Sequence, residues 1–310
     1  MESKLNYYLE FLSKVSADTM AITALPLDCW LKERLKNWVQ LSGHEGSIVP
    51  ATDRTLWKRR SCIGYNEGDA YERLSKDALL VGLIPKFYQQ REYKDEKFIE
   101  IEDLTSGFRN PAVMDVKMGT RTFLECEVKN EKLRSDLYEK MIAIDANEPT
   151  EEEHLAKAIT KLRYMQFRES ESSTATLGFR IEAAKTPDDI LKKSFKKVKT
   201  KEEVMAAFMA FFGRKSSTLC PQLLVRLRQI RDAIERSTFF KHHEVVGSSL
   251  LFVYDENNVG VWMIDFAKTL PIEGRVISHR IPWKMGNHED GYLIGLNSLI
   301  EIFEELSQKR

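Results

Sequence analysis

The stretch Pro111-Ala112-Val113-Met114-Asp115-Val116-Lys117-Met118-Gly119 decides how this chain is read. Successive side chains of a strand point to opposite faces, so Ala112, Met114, Val116 and Met118 line a buried face while Val113, Asp115 and Lys117 share the other. Four apolar residues commit the strand to a core. An Asp and a Lys projecting side by side are either a solvated i,i+2 pair or two members of a charged site. Gly119 tilts the reading toward a site, because a residue without Cβ leaves backbone room for a bulky ligand.

Downstream, Val259-Gly260-Val261-Trp262-Met263-Ile264 is a near-continuous apolar run that ends in one carboxylate, Asp265. Left unpaired it would cost several kcal/mol, so it should meet a cation: Lys268, another Lys or Arg, or a metal. An Asp at a strand end followed by Phe and a small residue resembles the Asp-Phe-Gly magnesium ligand of protein kinases. Upstream, Gly43 and Gly46 open a turn whose amides, with the Ser47 hydroxyl, suit phosphate oxygens, and Lys58 lies further along on a predicted strand. An acidic partner for Lys58 is either Glu67 or Glu72.

Between these ends the pattern changes period. Residues 47–60 and 86–104 read as strands around a helix from about Asp69 to Leu80, with a hairpin at Lys94-Asp95-Glu96 and a lobe boundary at Gly107. Leu133, Leu137, Met141 and Ile144 then form a helical stripe. Thr150 with Glu153 is a capping box that starts a second helix. Lys157, Lys161, Tyr164 and Arg168 fall on one face of that helix, flanked by Arg163 and Gln166, with Arg134 and Lys140 on the preceding one. These cations are either a solubilising surface, balanced by Glu151 to Glu153, or a bed for a multiply phosphorylated small molecule. Residues 249–265 read as a hairpin turning at Glu256-Asn257-Asn258, and Tyr292, Leu296, Leu299, Phe303 and Leu306 as a core-facing helix.

Composition bounds the remaining choices. At 310 residues with 30% charged, the chain is an ordinary two-lobed or two-domain globular protein, and no apolar run reaches the length of a membrane span. Lys plus Arg and Asp plus Glu number 47 each, so a net charge of zero gives no whole-surface attraction to nucleic acid. Cys29, Cys62, Cys126 and Cys220 are dispersed, and MESKLNYYLEFLSK does not read as a secretory signal, so free thiols in a reducing, cytoplasmic or nuclear setting are expected. The basic run from Trp30 to Gln40 is a surface helix or, less simply, a calmodulin target or membrane anchor. Lys192, Lys193, Lys196, Lys197 and Lys199 read as a solvated face, and His242-His243-Glu244 lacks metal-ligand spacing.

Taken together, PAVMDVKMG, GSSLLFVYD and MIDFAKT resemble the inositol polyphosphate kinase family, with its ordered signature PxxxDxKxG, SSLL and IDF. KLRYMQFRE, GFRIEA and HEDGYLIGL are similar to the branch that phosphorylates the 3-hydroxyl of inositol 1,4,5-trisphosphate. The resemblance implies an α+β, two-lobed, protein-kinase-like fold binding ATP and Mg2+ in its cleft. It divides the chain into an extension, 1–37, a first lobe, 38–104, and a second lobe, 105–310, with a helical insert at about 125–175. It further implies that Ser47, Lys58 and Lys185 contact the nucleotide, that Glu102, Asp103 and Leu104 form the adenine hinge, and that Asp115 lies near the ribose. Asp265 would hold magnesium with Ser249 close by. Lys117 would stand between the transferring phosphoryl group and the inositol. Lys268, Arg134, Tyr138, Lys140, Lys161, Arg163, Tyr164, Met165, Gln166 and Arg168 would bind the substrate. A multikinase of broader range, or a silent inositol phosphate or phosphoinositide binding module, is the alternative. Residues 1–37 match the calmodulin-binding segment of longer members poorly, so calmodulin is only a candidate partner, and a monomer is expected.

Overall fold

Apolar alternation builds two sheets, each wrapped by helices. The computed structural model describes residues 2–15, 29, 47–60, 67–187 and 195–308. The Gly43–Gly46 turn, the basic run 30–40 considered for calmodulin, and Lys192 and Lys193 lie outside them. Helix α1 (Glu2–Val15) buries Phe11 and Leu12 against Val49, Trp57, Tyr93 and Phe98 of the first sheet. That sheet comprises β1 (Ile48–Pro50), β2 (Thr55–Arg59), β3 (Phe87–Tyr93) and β4 (Glu96–Glu102), antiparallel in the order β1-β2-β4-β3. Lys94 and Asp95, at φ 48° and 61°, are the two left-handed residues of the β3–β4 hairpin, and Glu96 already pairs with Tyr93. Helix α2 (Glu67–Leu74) starts two residues before the expected Asp69. It turns Ala70, Tyr71 and Leu74 inward.

The second sheet is centred on β5 (Ala112–Met118), the strand that decided the reading. As its alternation requires, Ala112, Met114, Val116 and Met118 are all 0% exposed. A small insert follows, containing β6 (Leu133–Arg134), α3 (Ser135–Ile142), α4 (Glu151–Ala156), β7 (Ile159–Thr160) and α5 (Lys161–Ser170). After it come α6 (Thr174–Leu177), β8 (Phe179–Lys185), α7 (Lys201–Phe212), α8 (Ser216–Arg236) and α9 (Thr238–Lys241). The chain ends with β9 (His243–Val246), β10 (Ser249–Tyr254), β11 (Val259–Ile264), β12 (Lys268–Pro271) and α10 (Tyr292–Gln308). The sheet order is β11-β10-β5-β8, with β9 and β12 forming a separate ribbon. Met114, Met118, Phe208, Leu227, Phe252, Leu296 and Phe303 belong to one continuous core joining this sheet to α7, α8 and α10. Each such side chain contributes about 1.5–3 kcal/mol by leaving water. No helix among the described residues is long and apolar enough to cross a membrane.

The insert corrects two expectations. The capping box at Thr150 is present, but the helix it starts ends at Ala156. Lys157 turns left-handed at φ 48°, Ile159 buries itself, and Thr160 caps a new helix by accepting from the Arg163 N–H. Two caps ten residues apart divide the segment, so Lys157 does not share a helical face with Lys161, Tyr164 and Arg168. Leu133 likewise leaves the expected stripe: it is 57% exposed in β6, while Leu137, Met141, Ile159 and Phe167 form the insert's own core.

Candidate active site

Strand β2 carries Lys58 to the interface between the two sheets. Its Nζ donates to Glu67 Oε1 at 2.7 Å and to Asp265 Oδ1 at 2.5 Å. The choice the sequence left open is resolved: Glu67 at the start of α2 is the partner, and Glu72 faces outward on Lys76. Burial works against the Lys58 ammonium, but the two carboxylates raise its pKa well above the usual lysine value, so it is charged. Burial also acts to protonate Asp265, yet Lys58 and then Lys117 hold its carboxyl below its ordinary range. Glu67, more deeply buried, is pushed up by burial despite Lys58. Asp265 sits at φ 63°, a left-handed conformation that Asp tolerates better than most residues, immediately after β11. It remains reachable, with 35% of its side chain exposed.

Register places the rest of the cleft. Ser249 pairs with Lys117 on one side and with Ile264, the residue before Asp265, on the other. Its hydroxyl is buried and has no hydrogen-bond partner, a state that costs about 1–3 kcal/mol unless a ligand completes it. Among the described residues there is no group of three or more His, Cys, Asp or Glu that would cage a metal. One carboxylate beside an orphaned hydroxyl does fit magnesium, which binds through one or two carboxylates plus water and substrate phosphates. Lys117 donates to Gly247 O at 3.0 Å and stands opposite Arg180, while Asp115 is only 1% exposed between Leu251 and Ala183. The solvated-pair reading of Asp115 and Lys117 therefore fails. So does the idea that Gly119 makes room for a ligand: at φ 97°, its missing Cβ would lie 2.7 Å from the Asp290 carbonyl oxygen. The glycine serves a close crossing of two backbones.

A bed of cations adjoins Lys117. Lys161 at the start of α5 and Lys268 on β12 both donate to Glu127, the latter at 2.8 Å, and Lys268 also reaches Thr122 O at 3.0 Å. Burial, with Lys161 and Lys117 nearby, lowers the Lys268 pKa despite Glu127. Arg168 is buried near Arg180, whose Nε donates to Glu182 at 2.9 Å. After burial, which acts the other way, Arg180, Lys117 and Arg168 keep Glu182 ionised. Tyr164 is half-buried beside Phe167, Met165 Sδ accepts from the Thr122 hydroxyl, and Gln166 is exposed.

The remaining expected residues are placed differently. Arg163 donates to Glu148 and Glu153 inside the insert. Arg134 and Lys140 both turn onto exposed Asp136, and Tyr138 OH is 2.9 Å from His154 Nδ1. Lys185 pairs with Val113 at the far end of β8. Ser47 is half-buried just before β1, its carbonyl accepting from Arg59 N–H. Glu102 accepts from Lys86 N–H, buried Asp103 accepts from Thr105, and Leu104 is half-buried. Sequence reasoning singled out neither Arg180 and Glu182 nor Glu127 and Arg121. The first two had a signal, since FRIEA alternates charge with the buried Phe179 and Ile181. The bulge that sets Glu182 out of register, between Asp115 and Val116 on the partner strand, had none. Arg121, 1% exposed, gives its guanidinium to Glu244 and to three backbone carbonyls, bracing the loop before α10.

A lysine held between a helix glutamate and a strand-end aspartate across two lobes, with cations massed on one side, defines a kinase-type phosphotransfer fold. Residues 98–304 match the family model for inositol polyphosphate kinase, and the chain belongs to that family. It is 61% identical over 299 residues to an inositol-trisphosphate 3-kinase homolog of Caenorhabditis elegans, covering 95% of this chain and 60% of that protein. It is 46% identical over 294 residues to human inositol-trisphosphate 3-kinase A, covering 92% of this chain and 62% of that protein. The chain thus spans about three fifths of the length of these relatives. In fold it is similar to the inositol phosphate multikinase of S. cerevisiae solved with ADP and Mn2+, with a TM-score of 0.52 at 17% identity, covering 80% of this chain and 98% of that one.

Proposed function

We propose that this protein transfers the γ-phosphoryl group of ATP to the 3-hydroxyl of inositol 1,4,5-trisphosphate, giving the 1,3,4,5-tetrakisphosphate. The observation that carries this reading is the adjacency of the Lys58–Asp265 pair to a half-buried bed containing Lys117, Lys161, Arg168 and Lys268. The names of the relatives supply the substrate.

Phosphoryl transfer needs positioning and charge neutralisation rather than a nucleophilic side chain. In this reading Lys58 and Ser47 orient the nucleotide phosphates, and Glu67 keeps the Lys58 ammonium aimed. Lys185, Asp115 and the Glu102–Leu104 segment would hold the rest of the nucleotide. Magnesium, held by Asp265 with the Ser249 hydroxyl close by, would supply charge neutralisation at the phosphates. Two polyanions repel one another, and Lys117 and Lys268 offset that repulsion where acceptor and donor meet. Arg168, Lys161, Tyr164, Met165 and Gln166 would grip the trisphosphate. The protein would work as a cytoplasmic monomer on a diffusible substrate.

Incubation with Mg2+, ATP and a panel of inositol phosphates, with the position of each new phosphate assigned, tests the proposal. A 3-phosphorylated product from the trisphosphate is expected. Its absence would sink the reading, and equal turnover of tetrakisphosphates would replace it with a broader multikinase.

A further inference from the structure

The substrate bed contains its own anion. Glu127 lies in the short turn Glu125–Glu127, and its side chain is 13% exposed. One carboxylate oxygen accepts from Lys161 of α5, and the other from Lys268 of β12 at 2.8 Å. The latter oxygen also accepts from the Leu124 N–H at 2.9 Å, tying the carboxylate to its own turn. That turn is fixed in addition by Glu125, which accepts from Trp283 Nε1 and from the backbone N–H groups of Gly286 and His288. Glu127 is therefore not a surface side chain folded over an empty site. Two elements far apart in sequence converge on a carboxylate held from behind.

Resting on the reading above, we propose that Glu127 is a positioning and selectivity residue: it holds Lys161 and Lys268 in register, and its fixed negative charge limits how many phosphates the bed accepts. Without it, Lys117, Lys161 and Lys268 would face substrate as a group of like charges with one more net positive charge. Burial and these neighbouring ammoniums lower the Lys268 pKa, and Glu127 opposes that shift. A trisphosphate meets a bed matched to its charge. A more highly phosphorylated inositol meets the Glu127 carboxylate as a repulsive element, discriminating by charge as well as shape.

Calorimetric titration of inositol 1,4,5-trisphosphate and of inositol hexakisphosphate into wild type, Glu127→Gln and Glu127→Asp tests this without relying on turnover. Glu127→Gln should shift the ratio of the two Kd values about tenfold toward the hexakisphosphate, and Glu127→Asp, which restores the charge, should return most of that shift. A ratio within about twofold of wild type in folded Glu127→Gln overturns the inference. Should that variant not fold, Lys161→Met removes one positive charge, and the ratio must move the opposite way; an unmoved ratio counts equally against it. Trisphosphate turnover by wild type is assayed separately. Turnover with an unmoved ratio sinks this inference alone, no turnover with the expected ratio sinks only the kinase reading, and wild type binding neither compound sinks both.

Discussion

Arg163 and Arg168 lie five residues apart on the same helix and have opposite fates. Arg163 donates to Glu148 and Glu153 through Nε, Nη1 and Nη2, and although burial works against its charge, those carboxylates raise its pKa. Arg168 is 6% exposed, and among the described residues its guanidinium donates to Lys196 O. Burial and the neighbouring Arg180 lower its pKa, against a smaller pull from Glu182. A cation answered by its own insert stabilises that insert. A buried cation set beside another cation costs stability, and such a cost persists where a ligand's negative charge relieves it. Arg134 and Lys140, exposed on Asp136, go with Arg163, whereas the carboxylates that Lys117 helps to ionise, Asp265 and Glu182, belong to the cleft. The resemblance placed all of these cations around one substrate, and carboxylates inside the insert draw Arg163, Arg134 and Lys140 away.

The most damaging test acts on the carboxylate that the whole cleft addresses. Asp265→Asn keeps the side-chain shape, and Asn tolerates the left-handed backbone found there, so the fold should survive. Turnover should fall at least about a thousandfold, because the neutral amide neither holds a metal nor balances Lys58 and Lys117. Near-normal activity in a steady-state assay would refute the role of Asp265. Next in size, Arg168→Ala should raise KM for the trisphosphate about a hundredfold, leave KM for ATP unchanged, and leave Tm unchanged or higher. Arg163→Ala should do the reverse: kcat/KM within about threefold of wild type, with about 1–2 kcal/mol lost in denaturant unfolding. If both variants lost substrate affinity equally, the division between satisfied and unsatisfied cations would be wrong.

How much of this could be read in advance depends on the range of the interaction. Period-2 alternation is local, so the buried face of β5 and the β10–β11 hairpin were legible from Met114, Met118 and the run ending at Ile264. Capping is also local, and Thr150 was read correctly. The second cap at Thr160 was missed because cationic spacing was extrapolated across it as one helix. Lys58, Asp265 and Lys117 were recognisable by residue type and motif order. That Glu67 rather than Glu72 answers Lys58 depends on where α2 begins and which face it turns inward. Glu127 and Arg121 were beyond reach, since each acts on partners more than thirty residues away in positions that no periodicity marks. Gly119 shows the same limit: the sequence showed a need for space, but only the fold shows that Asp290's backbone fills it.

The smallest effect comes from a buried pair that is satisfied on both sides. His279 Nδ1 lies 2.9 Å from the Asp290 carboxylate and Nε2 lies 2.8 Å from Phe240 O, so both ring nitrogens face acceptors and the doubly protonated imidazolium suits the site. Burial opposes that charge, but Asp290 raises the His279 pKa above its ordinary value of 6.5. Burial would likewise raise Asp290, yet His279 and the amides of Val245 and Tyr292 hold it below 3.8. A raised histidine contributes stability fully below its unfolded pKa and loses it as pH rises through the folded value. A depressed aspartate contributes above its unfolded pKa and loses it as pH falls through the folded value. The pair therefore stabilises most in mildly acidic solution. His279→Asn, which tolerates the local φ of 58°, should lower Tm most near pH 5–6, and the difference from wild type should shrink by about 1 kcal/mol as pH rises through the folded His279 pKa. A difference that stays constant from about pH 5 to 9 would show that folding leaves the histidine pKa unshifted, and one that grows with pH would show a histidine held neutral in the fold. Either result would remove the ion pair and leave His279 a hydrogen-bonded brace.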